Sequence, residues 1–516
     1  MSAWTLRLDG AAPPDRALVG GKAWSIARML SLGLRVPPAF VITTAACTAY
    51  QSDGAMPAGL AEEIAEGLTW LEDKTGRTFA GGSSPLLLSV RSGAAISMPG
   101  MMDTVLNLGI GDATEAALAA ESGEPGFARD THRRFLELFA GIVLKAPPVN
   151  LDPDADPASW RGAIAAAAAP VPSDPREQLL AAVGAVFDSW NSRRARKYRQ
   201  HNGIPDDLGT AVTIQAMVFG NLDEASGTGV LFSRNPLTGE RSPFGEYLAK
   251  AQGEDVVSGK FTPLPLDAMR ERSPEAHAAL LAASQRLEAD SREMQDIEFT
   301  VQRGELFLLQ ARAAKRAPLA AVRAAVEMTE EGLVERSEAL ARVTPEQATE
   351  LLRPRLAADA TAGIEPAAEG EGACPGVATG VAVITPDEAE KRAAAGEDVI
   401  LLRQMTSPDD VHGMIAARAI VTAHGGATSH AAVVSRALGR PCVVGCGDTV
   451  MALAGEILTV DGAGQVWRGA LSTIVPGADE NPWLEKLLAW AEEAGETKFA
   501  PKGDIAELAR TGTAHG

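Results

Sequence analysis

A chain of several domains of mixed α and β structure is predicted by three features of the sequence. Helical and strand-like hydrophobic patterns alternate through residues 1–315, which argues for an α/β (α+β) architecture. Ala, Glu and Arg in helical repeats then occupy 316–371, and short apolar strands separated by short helices fill 372–475. With 516 residues, 46% of them hydrophobic, the chain has material for roughly three cores.

Leu60, Ile64, Leu68 and Leu71 recur at helical spacing. LLLSV at 86–90 and TAVTIQAMVF at 210–219 are rich enough in apolar and β-branched residues for strands. Two further strands, 297–301 and 305–310, flank the turn signal Arg303-Gly304 and predict a hairpin. The connector ends in DATAGIEPAAEGEGA, which is small, acidic and read as a flexible linker. The next module offers strands at VAVIT, DVILLR, AIVT, CVVG and ILTVD. Residues 476–516 hold one amphipathic helix around Trp483 to Glu493 and a polar tail, with no length for a third large domain.

Lys and Arg total 47 against 67 Asp and Glu, a net charge of -20. Such a chain repels a nucleic-acid backbone, so nucleic acid is not expected as a partner. A polyphosphate has to be held by a few local cations, helix N-termini or a divalent metal. Cys47, Cys374, Cys442 and Cys446 match neither a disulfide framework nor a four-ligand zinc site, which reads as reduced thiols. The N-terminal MSAWTLRLDGAAPPD lacks a signal-peptide pattern and no stretch is apolar enough to span a membrane, so a cytoplasmic location without membrane partners is expected.

AIVTAHGGATSHAAVVSRALGRP reads as strand, glycine turn and helix, stopping at Gly439 and Pro441. With Thr428 as N-cap, His430 falls in the first helical turn. There, unpaired N–H groups and the helix dipole favour a phosphate on the ring and disfavour imidazolium, leaving a neutral nucleophile. A histidine at a helix start is by itself more often structural. Gly425-Gly426, which admit a bulky anion, the donor Ser429 and the cation Arg436 shift the reading to a phosphoryl acceptor.

Four other segments carry chemistry. Lys22 follows Gly20-Gly21 before an amphipathic helix and can reach a phosphate, although GGK alone is not a P-loop. Arg91 emerges from an apolar strand and needs a partner, for which Asp103 is one candidate. The methionines Met98, Met101 and Met102 behind it read as packing. Gln215 to Val218 read as part of an apolar central strand. Glu298 and Gln310, on consecutive hairpin strands, are hard oxygen ligands suited to Mg²⁺, but such a pair is usually solvated.

GGATSHAAVVSRALGRPCVVG resembles the phosphohistidine signature of the family containing pyruvate phosphate dikinase and phosphoenolpyruvate synthase. LVGGKAWSIARMLSLGLRVPPAFVITTAAC, LLLSVRSGAAISMPGMMDTVLNLGI, GTAVTIQAMVFGNLDEASGTGVLFSRNPLTGE and QDIEFTVQRGELFLLQARAAKR are similar to its nucleotide-binding region. The resemblance implies an ATP-grasp-type nucleotide-binding domain followed by a small swivelling phosphohistidine β/α domain. It makes His430 the phosphorylated residue, and it makes Lys22, Arg91 and Arg312 contacts to ATP phosphates. Gln215 and Met217 would line the adenine, Asp296 would be an acidic site residue, and Glu298 with Gln310 would hold Mg²⁺. Thr428 matches a threonine that is a regulatory phosphorylation site in some members. His424 stands where a charged residue such as arginine is expected, and Lys250 where a small polar one is.

The activity implied is autophosphorylation of His430 from ATP with AMP formation, followed by transfer to phosphate and onward to pyruvate or phosphoenolpyruvate. The C-terminal barrel that binds pyruvate in full-length members has no counterpart here, so it is expected as a separate protein, as the rest of a longer chain, or replaced by another acceptor. The connector is expected to act as a hinge. A homodimer is among the assemblies open to the chain. A phosphotransferase with another acceptor, and a non-catalytic phosphocarrier or nucleotide sensor, are the competing classes.

Overall fold

The computed structural model describes residues 4–496 and 499, apart from 97, 99–101, 258–260, 353–354, 358 and 475–476; only the backbone is described at 254 and 257. Met101 and the polar tail from 500 therefore lie outside the described residues. The chain divides into two compact units, one of residues 1–228, 249–252 and 298–311, the other of 229–248, 253–297 and 312–516. The expected 1–315 domain is thus divided, because its segments 229–248 and 253–297 pack with the C-terminal half.

In the first unit an antiparallel sheet runs in the order Thr5–Leu8, Ala39–Ile42, Ala211–Ala216, Leu88–Gly93, Thr104–Leu108. Ala211–Ala216 is its centre and is buried throughout, as the unbroken apolar run requires. The helix Leu60–Thr75 buries Ile64, Leu68 and Leu71, the stripe read from the sequence, in a core with Phe40, Phe135, Phe139 and Trp160. Gly67 is where this helix meets the sheet, since a Cβ there would lie 2.8 Å from the Phe40 ring. A further five-stranded sheet has the order Leu264–Pro265, Phe244–Ala249, Gly227–Phe232, Gln295–Gln302, Glu305–Ala313. Its last two strands form the expected hairpin, turning through Arg303 and Gly304 at φ 51° and 80°, the left-handed pair that a tight two-residue turn demands.

The second unit contains an eight-stranded sheet in the order Ala368–Glu369, Gln465–Arg468, Ile457–Asp461, Val377–Val383, Val399–Arg403, Ala419–Thr422, Cys442–Val444, Glu371–Cys374. Val377–Val383 to Cys442–Val444 are parallel neighbours and the flanks are antiparallel. Alternate residues feed two cores, Ile400, Leu402 and Val421 on one face, Val399, Leu401 and Ile420 on the other. Burial on both faces explains why these strands read as continuous apolar runs. The sheet takes in Ala368–Glu369 and Glu371–Cys374, which overlap the stretch read as a linker.

The connector folds as helices Pro318–Glu330, Arg336–Arg342 and Pro345–Glu350, and these share a core with Pro482–Glu493 through Val326, Leu340, Leu487 and Trp490. The chain therefore leaves this helical core, builds the sheet module and returns, and the outgoing Arg355–Leu356 pairs antiparallel with the incoming Thr473–Ile474. Fully buried Arg234 anchors the helix Pro318–Glu330. Its guanidinium bonds Glu288 at 2.8 Å and Glu331 at 2.7 Å. Burial opposes its charge, but the Glu331 and Glu288 hydrogen bonds more than offset this and hold its pKa above the usual value. Arg234→Met should lose about 3–5 kcal/mol by stranding two carboxylates. Urea unfolding followed by circular dichroism checks this, and an unchanged midpoint would show that the cluster is not integral to the fold.

Candidate active site

The candidate side chains fall into two groups, one in each unit. In the first, Gly20 interrupts the helix Arg16–Ser31 with φ 75° and ψ 165°. A Cβ there would stand 1.8 Å from the Gly93 carbonyl oxygen, so glycine alone fits. The Gly21 amide donates to the Ala94 carbonyl at 2.8 Å. This contact sets Lys22 against the end of Leu88–Gly93, and a Cβ on Gly93 would lie 3.3 Å from the Lys22 Cβ.

Two residues earlier on that strand, Arg91 donates from Nη2 to Glu298 Oε2 at 3.0 Å. The alternative partner considered from sequence, Asp103, is not the one used. Arg91 lies opposite Thr104, so Asp103 falls on the other face of the pleat, where it pairs with Arg194 and Lys145. The structure thus unites a cation expected on phosphate with a carboxylate expected on metal. Each holds the other's charge, and a triphosphate can take over the guanidinium while a divalent cation takes the carboxylate. Gln310, also buried, lies on Glu305–Ala313.

Gln215 is buried, its side-chain amide donating to the Pro37 carbonyl at 3.0 Å, and its neighbours in the sheet are Ala39 and Ser89. Met217 is half-buried, its backbone amide bonded to the Leu87 carbonyl at 2.9 Å. Lys250 has φ 50°, a left-handed conformation that small polar residues adopt more readily, and its ammonium reaches Glu224 at 2.9 Å.

In the second unit Asp296 is buried and accepts from Arg312 Nε at 2.8 Å. His430 opens the helix His430–Leu438, in the crossover between the parallel strands Ala419–Thr422 and Cys442–Val444. The carboxyl ends of parallel strands are where such folds bind ligands. The N-cap is Ser429 rather than Thr428. The Thr428 hydroxyl donates to the Glu246 carboxylate, while Ser429 Oγ is buried with no partner among the described residues.

His430 Nδ1 lies 3.0 Å from Thr406 Oγ1, and Nε2 is buried with no hydrogen-bond partner among the described residues. Burial pushes the ring's pKa down to about 4, with the Asp410 carboxylate working against it. The ring is therefore unprotonated at neutral pH, the state a nitrogen nucleophile needs.

The turn before it is gripped by two carboxylates. Glu246 leaves no room at Gly426, whose Cβ would lie 2.5 Å from Oε1, and Glu371 accepts from the Ala427 amide at 3.0 Å. Burial raises the Glu246 pKa to about 7; the Thr428 hydroxyl opposes the rise and Glu371 adds to it. Arg436, read from sequence as offsetting phosphate charge, is instead buried against the Ala373 carbonyl at 3.0 Å and over the Phe232 ring, because its place late in the helix points it into the module. His424 pairs with Asp448 at 3.0 Å.

Sequence reading missed Thr406, Asp410, Glu246 and Glu371. The capping pattern Ser407-Pro408-Asp409-Asp410 was a legible signal for the first two; the others depend on contacts between distant segments. Among the described residues, Asp387, Glu390 and His412 also bring one ligand atom each within 4.8 Å, but His412 Nε2 already bonds Asp387.

The family model for the pyruvate phosphate dikinase AMP/ATP-binding domain matches residues 16–73 and 52–273, and that for the PEP-utilising enzyme mobile domain matches 395–465. Pyruvate, phosphate dikinase 2 of Oryza sativa subsp. japonica is 44% identical over 536 residues, covering 97% of this chain and 60% of that protein. The chloroplastic pyruvate, phosphate dikinase 1 of Arabidopsis thaliana is 45% identical over 95% of the chain and 55% of its own length. Pyruvate, phosphate dikinase of Rhizobium meliloti (strain 1021) is 42% identical over 93% of the chain and 58% of its own length. The chain thus spans between 55% and 60% of these relatives. No helix among the described residues is long and apolar enough to cross a membrane.

The burial of His430 has a direct solution signature. Nitrogen-15 spectra of its ring should show the neutral form down to a midpoint of about 4. Because this folded-state pKa lies below the ordinary 6.5, stability should fall as pH drops from 6.5 toward about 4. A midpoint near 6.5 would show that the ring is solvated.

Proposed function

Because the chain belongs to the family defined by the pyruvate phosphate dikinase AMP/ATP-binding domain, we propose that it is the ATP-utilising part of a dikinase, in which His430 takes phosphate from ATP and passes it on. The observation that carries this is the His430 ring itself, unprotonated, at a helix N-terminus, with Nε2 free of hydrogen bonds among the described residues.

In this reading Nε2 attacks the β-phosphorus of ATP in line, the bond to the AMP oxygen breaks, and a pyrophosphorylated histidine forms. Lys22, Arg91 and Arg312 neutralise the phosphate oxygens as charge moves during the step. Gln215 and Met217 wall the purine, and Asp296 keeps Arg312 in place through their ion pair. Glu298 and Gln310 suit Mg²⁺ as oxygen donors, and Glu298 already faces a cation. Mg²⁺ bound there would supply further neutralisation of phosphate charge.

A phosphate group then passes to inorganic phosphate, and the remaining phosphohistidine serves pyruvate, giving the overall conversion of pyruvate, ATP and phosphate to phosphoenolpyruvate, AMP and pyrophosphate in the cytoplasm. The pyruvate step needs a barrel supplied in trans or by a longer chain. Transfer also requires the His430 ring to reach the phosphates that Lys22, Arg91 and Arg312 would hold.

Incubation with ATP labelled at the β position and Mg²⁺ tests this. AMP and an acid-labile protein label are expected, pyrophosphate appearing when phosphate is added. His430→Ala should abolish the label and His424→Ala should keep it. Formation of ADP would point to an ordinary kinase, and absence of turnover to a carrier or nucleotide sensor.

A further inference from the structure

The acceptor ring has two nitrogens, and which one carries the proton decides which one can attack. Nδ1 is in contact with Thr406 Oγ1 at 3.0 Å, while Nε2 is buried without a partner among the described residues. Were the proton on Nε2, the structure would bury an orphaned N–H donor. Buried donors without acceptors are rarer than buried acceptors without donors. The Nδ1–H tautomer avoids that penalty, with the Thr406 oxygen accepting.

Thr406 is itself held firmly. It precedes Ser407, which opens a short capped turn over Pro408–Asp410. Asp410 is buried and accepts from the Ser407 amide at 2.7 Å, and Arg403 holds its other oxygen at 3.1 Å. The loop carrying Thr406 is stitched to the turn leading to His430 by two backbone bonds, from the Ala423 amide to the Arg403 carbonyl and from the His424 amide to the Gln404 carbonyl, both 2.9 Å. The segments that carry the hydroxyl and the ring are thus tied together.

We propose that Thr406 is the positioning residue of the phosphoryl acceptor: its hydroxyl oxygen takes the Nδ1 proton of His430 and so leaves Nε2 as the sole nucleophilic nitrogen. This rests on the reading of His430 as the acceptor. The step balances without a further base. The Nε2 lone pair forms the N–P bond as the bond from phosphorus to the leaving oxygen breaks, and the Nδ1 proton stays on a ring that becomes cationic. The Thr406 oxygen accepts from that ring at Nδ1, and the Asp410 charge favours its cationic form.

The test begins without ATP, on protein with nitrogen-15 histidine. The wild type and Thr406→Ser should show the Nδ1–H tautomer at His430, and Thr406→Val should show a mixture or the Nε2–H form. A wild-type ring protonated on Nε2, or an unchanged tautomer in Thr406→Val, overturns the proposal. With ATP and Mg²⁺, phosphate should appear on Nε2 in the wild type and the serine variant. The valine variant should be slower by roughly ten- to a hundredfold, with some phosphate on Nδ1 read by isomer-specific antibodies. Equal rates and one isomer in all three also overturn it. A wild type that forms no phosphohistidine sinks the acceptor reading, while the tautomer still decides the role of Thr406.

Discussion

The second unit is arranged around one constraint, that an imidazole has to be withdrawn from water without acquiring a proton. Carboxylates nearby oppose this, since each favours imidazolium. Asp410 does pull the ring's pKa upward, and burial outweighs it. Two other acids grip the turn before the ring. Glu246 receives the Thr428 hydroxyl, and its own charge is reduced at neutral pH because burial lifts its pKa to about 7; Glu371 receives the Ala427 amide. The turn leading to the acceptor is therefore held by two carboxylates, Glu246 and Glu371.

The same economy governs the cations. A chain with net charge -20 has little long-range attraction for a nucleotide. Its candidate phosphate contacts are instead stored as ion pairs, Arg91 with Glu298 and Arg312 with Asp296. Each guanidinium is oriented before any ligand arrives, and each carboxylate is a group that a divalent metal or a further cation can use. Exchange of partners costs less than desolvating free charges.

Much of the fold was legible because it rests on local pattern. The helix Leu60–Thr75 follows from four apolar residues at helical spacing, the hairpin from Arg303-Gly304, and the parallel strands of the second unit from their β-branched runs. Legibility ended where a side chain's partner is distant in sequence. Thr428 has the chemistry of an N-cap but donates to Glu246, which is far away along the chain. Arg91 chose between two acids by strand register, which the sequence does not display. The helix Pro482–Glu493 showed its amphipathic stripe, but not that the stripe closes the core of the connector.

That closure bears on how the acceptor could move, as the proposed transfer demands. Bending the connector helices would open a core containing Val326, Leu340, Leu487 and Trp490, the three aliphatic side chains each worth about 1.5–3 kcal/mol when buried. The two-residue pairing of Arg355–Leu356 with Thr473–Ile474 buries little and is the softer joint. The contacts holding the module against Glu246 and Phe232 also carry built-in penalties. Arg436 is buried with Nε and Nη2 unpartnered among the described residues, and ionised Glu246 is desolvated. A raised pKa in the docked state means that the Glu246 contact is strongest at low pH and weakens as pH rises through about 7. Returning both groups to water would regain solvation, so near neutral pH part of the cost of the motion proposed for His430 would be offset at these contacts.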